Sequence, residues 1–136
     1  MKISVFGLGY VGTVSAACLA RDGHDVIGVD INQQKVDSIN CGNATVGEPG
    51  LSDLINQVHV AGKLRATTDS SAAVNESDIS LICVGTPSLA NGNLNLEYIQ
   101  RVCQQLGSAI AQKSDFHVVV IRSTMLPGSM TDVVIP

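Results

Sequence analysis

Apolar residues in this chain follow two patterns that alternate from end to end. Short continuous runs at Ile3–Phe6, in a second stretch closed by Asp30, at Leu64–Thr67, at Ile79–Val84 and at His117–Ile121 suit strands buried on both faces. Between the runs, apolar residues recur at helical spacing. They do so after Gly12, at Val36 and Ile39, at Leu51, Leu54, Ile55 and Val58, at Ala72 to Val74, and at Leu96, Ile99, Cys103, Leu106 and Ile110. Asn32, Asp69 and Asn95 stand where N-caps are wanted, and Gly42 and Gly62 where helices should stop.

The segments between are of three kinds. Residues 43–50 form an irregular connector, and residues 88–95 a polar loop. Asn91-Gly92 is a hairpin signal, but no alternating strands flank it, so no hairpin is expected. Pro127 suits the first turn of a final helix that has barely begun at Pro136.

Strand and helix in strict alternation predict an α/β fold, a Rossmann-like doubly wound parallel sheet with helices on both faces. The first three strands fall on one side of the switch point and the last two on the other. A sixth strand is missing, which would leave His117–Ile121 as a sheet edge open to association.

Chemistry enters at the first turn. Gly7, Gly9 and Gly12 stand in G-x-G-x-x-G spacing between the first strand and the first helix, and Asp30 closes the next strand. This is the dinucleotide-binding fingerprint in its required context. Gly7 permits the sharp turn, Gly9 lets a pyrophosphate approach the backbone, and Gly12 lets the helix pack on the sheet. No basic residue lies between Ile3 and Ala20, so the anion would be held by the helix N-terminus itself. The Asp30 carboxylate can accept both hydroxyls of an adenosine ribose and would repel a 2′-phosphate, which favours NAD over NADP. Lys35, one helical turn on, either reaches the same ribose or is a surface lysine. Thr86, in Gly85-Thr86-Pro87, and Thr124 lie at C-terminal strand edges where ligands sit in such sheets; a strand-to-loop turn and a helix-capping hydroxyl are the competing roles.

Composition narrows the picture. The 136 residues make one domain, and 45% apolar content with two Phe and no Trp suits a sheet covered by helices. A net charge of −4, with eight scattered Lys and Arg, argues against nucleic acid. No segment resembles a signal peptide or a membrane span. Cys18, Cys41, Cys83 and Cys103 lack metal-ligand spacing, so no metal site is expected; three lie in apolar patterns, which suggests buried reduced thiols in a cytoplasmic protein. His24, His59 and His117 are equally scattered and are expected to be structural or solvent-facing.

Five separated motifs now carry a resemblance over nearly the whole chain. GLGYVG at 7–12, GVD at 28–30, GEPGL at 47–51, VGTP at 84–87 and RSTMLPG at 122–128 resemble the NAD-binding domain of the UDP-glucose/GDP-mannose dehydrogenase family. FGLGYVG, ICVGTPS, NGNLNLEYI and RSTMLPG followed by VVIP are more similar to its GDP-mannose branch than to its UDP-glucose branch. The resemblance implies a four-electron oxidation of a nucleotide-sugar primary alcohol to the carboxylate, using two NAD+ and a covalent thiohemiacetal. In the GDP-mannose branch the product feeds alginate polysaccharide.

Carried over by position, Tyr10 and Val11 would bind the pyrophosphate, Asp30 and Lys35 the ribose, and Thr86 and Thr124 the region near the nicotinamide. Thr124, the one catalytic candidate, would also position a water. Glu48 matches the family's connector without an assignable role. The family's nucleophilic Cys, its assisting Lys and Asn and its sugar-nucleotide contacts lie on a central helix and a second domain outside residues 1–136, and none of the four Cys here matches the nucleophile's motif. Two other functions compete. One is a non-catalytic NAD-binding module; the other is a dehydrogenase of the 6-phosphogluconate or hydroxyacyl type, which the VGTP and RSTMLPG segments disfavour.

Overall fold

The computed structural model describes residues 1–136. In chain order it contains β1 (Lys2–Phe6), α1 (Tyr10–Arg21), β2 (Asp25–Val29), α2 (Gln33–Asn40), α3 (Leu51–Val60), β3 (Leu64–Thr67), α4 (Ser70–Asn75), β4 (Ile79–Ile82), α5 (Glu97–Ile110) and β5 (Val118–Ile121). A single π-helical turn at Met130–Val134 follows. The strands form one parallel sheet in the order β3-β2-β1-β4-β5. β1 is flanked by β2 and β4, so the winding reverses there and opens a crevice at the carboxyl ends of β1 and β4.

Period-two alternation along the strands divides the core into two layers. Ile3, Val5, Val26, Leu64 and Ala66 face α1, α2 and α3, where they meet Ala16, Ala17, Ile39, Ile55 and Val58. Phe6, Ile27, Val29 and Ile82 face the other way, onto Val74 of α4 and Leu106 and Ala109 of α5. The helix starts are set locally. Asn32 accepts the Gln34 N–H at 2.9 Å, and Asp69 accepts the Ala72 N–H at 2.9 Å.

Polar residues within the second layer are satisfied by one another. Ser4 and Ser80 are fully buried on neighbouring strands with their hydroxyls 2.7 Å apart, and Ser77 Oγ lies 2.9 Å from Ser4. His117 Nε2 sits 2.8 Å from Ser80 Oγ, and Lys113 Nζ is 3.1 Å from His117 Nδ1 while donating to the carbonyls of Val74 and Ser77. Burial, reinforced by the Lys113 charge, holds the His117 ring below its ordinary pKa and so keeps it neutral. The histidine expected to be structural or solvent-facing is therefore structural, at the sheet end opposite the crevice.

Several expectations are corrected. Asn91-Gly92 does close a miniature hairpin: Ser88 and Leu94 form an antiparallel bridge, and the Leu89 N–H donates to Asn93 O at 2.7 Å. Turn chemistry alone suffices for one bridge, without flanking strands. Pro127 does not start a helix. The Ser129 N–H donates to Leu126 O at 3.1 Å across Pro127 and Gly128, and Gly128 has φ +92°, so these residues form a type II turn. Asn95 sits one residue outside the cap of α5, which is Leu96, and accepts the Glu97 N–H at 2.9 Å. β4 stops at Ile82 rather than Val84, and β5 starts at Val118, where pairing with Ile79 begins, rather than at His117. Of the thiols, only Cys83 is buried, Cys18 and Cys103 are half-buried and Cys41 is exposed. β5 is an edge strand, as β3 is on the other side, with Val118, Val119 and Val120 between 36% and 40% exposed.

Candidate functional site

The crevice is built from the β1–α1 turn upward. β1 delivers Gly7, whose N–H donates to Val29 O at 2.8 Å, and Gly7 turns with φ +93°. The first turn of α1 then packs so tightly that a Cβ on Gly12 would lie 1.7 Å from Gly7 O. A Cβ on Gly9, by contrast, would meet nothing within 4 Å. Gly9 is also the N-cap of α1 and no side chain caps this helix, so its unpaired first-turn N–H groups stay available to an anion. Tyr10 and Val11 form that turn with exposed side chains.

Asp30 follows β2 directly and is pinned against the glycine turn. Its Oδ2 accepts the Leu8 N–H at 2.8 Å, and its Oδ1 accepts the Asn32 N–H at 2.9 Å. Lys35 Nζ stands 3.4 Å from Oδ2, and the Asp30 side chain is 9% exposed. Two backbone donors and an ammonium fix the carboxylate's direction, while each oxygen retains acceptor capacity. Between α2 and the connector lies a shallow polar depression of about 220 Å³, lined by Asn32, Gln34, Lys35, Ser38, Ala44 and Thr45.

The far side of the crevice comes from the loops after β4 and β5. Thr86 Oγ1 donates to Thr124 O at 2.9 Å, and Ser123 Oγ donates to Val84 O at 2.7 Å. These bonds lock the two loops together. The helix that would have used Thr124 as a cap does not form: the last turn starts after Ser129 and has no side-chain cap. Arg122 Nη1 donates to Ser15 Oγ at 2.6 Å, and Ser15 Oγ donates to Val11 O at 2.6 Å, tying the β5 loop to α1.

The structure thus gathers Gly7, Gly9, Tyr10, Val11, Gly12, Asp30 and Lys35 on one side and Thr86 with Thr124 on the other, around the carboxyl ends of β1, β2, β4 and β5. Sequence reasoning overlooked the ties between them. Arg122 and Ser15 gave no spacing signal, being 107 residues apart, and neither did Thr13 and Thr45, whose hydroxyls lie 2.7 Å apart. Glu48, singled out by motif alone, accepts the Tyr10 hydroxyl at 2.8 Å; that hydrogen bond and the carboxylate charge raise the tyrosine pKa.

The chemistry fits a dinucleotide, with an uncapped helix end for a pyrophosphate, an open approach over Gly9 and an oriented carboxylate for a diol. Burial raises the Cys83 pKa, with Arg122 only partly opposing it, and burial raises that of Cys103. Neither is an activated nucleophile.

The family model described as the UDP-glucose/GDP-mannose dehydrogenase family, NAD binding domain, matches residues 1–136. GDP-mannose 6-dehydrogenase from Pseudomonas aeruginosa is 55% identical over 136 residues, covering 100% of this chain and 31% of that protein. A crystal structure of a ternary complex of the P. aeruginosa GDP-mannose dehydrogenase superposes with a TM-score of 0.99, again over 100% of this chain and 31% of that one. A UDP-glucose dehydrogenase from Pyrobaculum islandicum matches with a TM-score of 0.93 at 35% identity, over 98% of this chain and 31% of that one. The chain spans about a third of the length of these relatives.

Proposed function

This chain belongs to the UDP-glucose/GDP-mannose dehydrogenase family as its NAD-binding domain, and from that premise we propose that it holds NAD+ for the oxidation of GDP-mannose to GDP-mannuronate. The observation that carries the reading is the Asp30 carboxylate, held at the glycine turn by the Leu8 N–H. Residues 1–136 correspond to the cofactor-binding third of these relatives. The nucleophilic cysteine and the sugar-nucleotide contacts belong to a central helix and second domain outside them.

Within these residues the roles divide by chemistry. The α1 N-terminus at Tyr10 and Val11 receives the pyrophosphate, Asp30 accepts the ribose hydroxyls, and Lys35 offsets part of the local negative charge. Thr86 and Thr124 border the nicotinamide end, where the Thr124 hydroxyl would position a water. Bound NAD+ supplies the hydride acceptor, and two such transfers carry a primary alcohol to the acid. The 55% identity to a GDP-mannose enzyme, against 40% to a UDP-glucose 6-dehydrogenase from Haloferax volcanii, favours GDP-mannose. The same reading places the reaction in the cytoplasm and its product in polysaccharide synthesis, with alginate the polymer of this branch. The exposed edge of β5 supports self-association.

Steady-state kinetics on the natural full-length protein test this. GDP-mannose should give kcat/KM at least about a hundredfold above UDP-glucose, while residues 1–136 alone should form no NADH, since substrate orientation contributes up to roughly 7–11 kcal/mol. Preference for UDP-glucose, or turnover by the 136-residue chain, would overturn the assignment.

A further inference from the structure

The connector between α2 and α3 is tied to the cofactor groove at two places. Thr45 Oγ1 lies 2.7 Å from Thr13 Oγ1 in α1 and donates to Leu8 O at 3.2 Å in the glycine turn. Three residues later, Glu48 accepts the hydroxyl of Tyr10, the first residue of α1, at 2.8 Å. Both ties end on the glycine turn or α1 rather than on the connector's own neighbours α2 and α3. Thr45 also lines the polar depression beside Lys35, so the connector forms one wall of that depression.

The Tyr10–Glu48 bond itself contributes little to folding. Tyr10 is 54% exposed and Glu48 is exposed, and hydrogen bonds between solvated side chains add little net stability. Without this bond, a large aromatic side chain at the anion-binding end of α1 would be free to rotate across the opening. The carboxylate holds the tyrosine hydroxyl, and with it the ring, to the connector.

We propose that Glu48 is a positioning residue for the dinucleotide: it holds the Tyr10 ring against the 43–50 strap and so presets the groove for the pyrophosphate. This rests on the NAD-binding reading above. The bond needs an acceptor at residue 48 and not specifically a charge, since a glutamine carbonyl can accept the same tyrosine hydroxyl.

The test is calorimetric titration of NAD+ into the chain and its variants, with thermal unfolding alongside. Glu48→Ala and Tyr10→Phe should each weaken NAD+ binding about three- to tenfold, the range of one net hydrogen bond. The double variant should be no worse than either single one. Glu48→Gln should restore affinity, with all four unfolding close to wild type. Three results would overturn the proposal: unchanged affinity in Glu48→Ala, additive losses in the double variant, or tighter binding in both Glu48→Gln and Glu48→Ala, which would make the carboxylate a repulsive competitor of the pyrophosphate. If wild type fails to bind NAD+ at all, the underlying cofactor reading falls instead.

Discussion

Replacing Asp30 with alanine is expected to lower NAD+ affinity by one to two orders of magnitude, read by calorimetric titration. A carboxylate that accepts the ribose hydroxyls makes charge-assisted hydrogen bonds worth about 1.5–3 kcal/mol each net of water, and with Leu8, Asn32 and Lys35 already sharing its oxygens the loss amounts to about one such bond. That is one to two tenfold steps in affinity. The substitution also removes the acceptor for the Leu8 and Asn32 N–H groups and leaves Lys35 without its partner. The glycine turn then loses a tie to the end of β2. Asp30→Asn, which keeps an acceptor and loses the charge, should fall between alanine and wild type. Lys35→Ala should cost only a few-fold, since its 3.4 Å pair with Asp30 is partly solvated. Unaltered NAD+ affinity in Asp30→Ala would remove the ribose from this carboxylate.

The second large effect is on folding. In Gly12→Ala the new Cβ would lie 1.7 Å from the Gly7 carbonyl oxygen, an overlap between backbone and Cβ that no rotamer change relieves. α1 must lift off β1 or the turn must rearrange, so a loss of about 3 kcal/mol or more and a fall in Tm of at least about 10 °C are expected. Gly9→Ala is the contrast. Its φ of −80° is open to any residue, and its Cβ would meet nothing within 4 Å. Its Tm should stay within a few degrees of wild type while NAD+ binding drops at least tenfold, because the methyl group occupies the pyrophosphate's approach. Thermal unfolding followed by titration separates the two glycines. Equal behaviour would mean that neither has the role assigned to it.

Much of this architecture was legible because its signals are local. Asn32 and Asp69 cap the helices expected of them, Val36 and Ile39 point inward, and Leu64–Thr67 is the strand its apolar run indicates. The position of Asp30 after β2 was legible too, because strand, glycines, helix and acid follow one another within thirty residues. What escaped depends on contacts between distant residues. Ser4, Ser80 and His117 read as polar interruptions in a sequence, and only the pairing of β1 and β5 on either side of β4 brings the two buried hydroxyls and the half-buried imidazole together as a satisfied cluster. Arg122 with Ser15, and Glu48 with Tyr10, likewise need the fold before they have partners. Pro127 failed for a different reason: the glycine after it accepts positive φ, and proline followed by glycine suits a type II turn better than a helix start.

If the carboxyl ends of β1, β2, β4 and β5 cradle NAD+, the backbone amides there must respond to it. The direct measurement is a titration of the 15N-labelled chain with NAD+, followed through backbone amide resonances, with NADP+ in parallel. The expected result is saturable shifts at Gly7 to Gly12, Asp30 to Asn32, Thr86 and Thr124, quiet amides around His117 at the opposite sheet end, and NADP+ binding at least tenfold more weakly. Shifts concentrated away from the glycine turn, or NADP+ binding as tightly as NAD+, would contradict it.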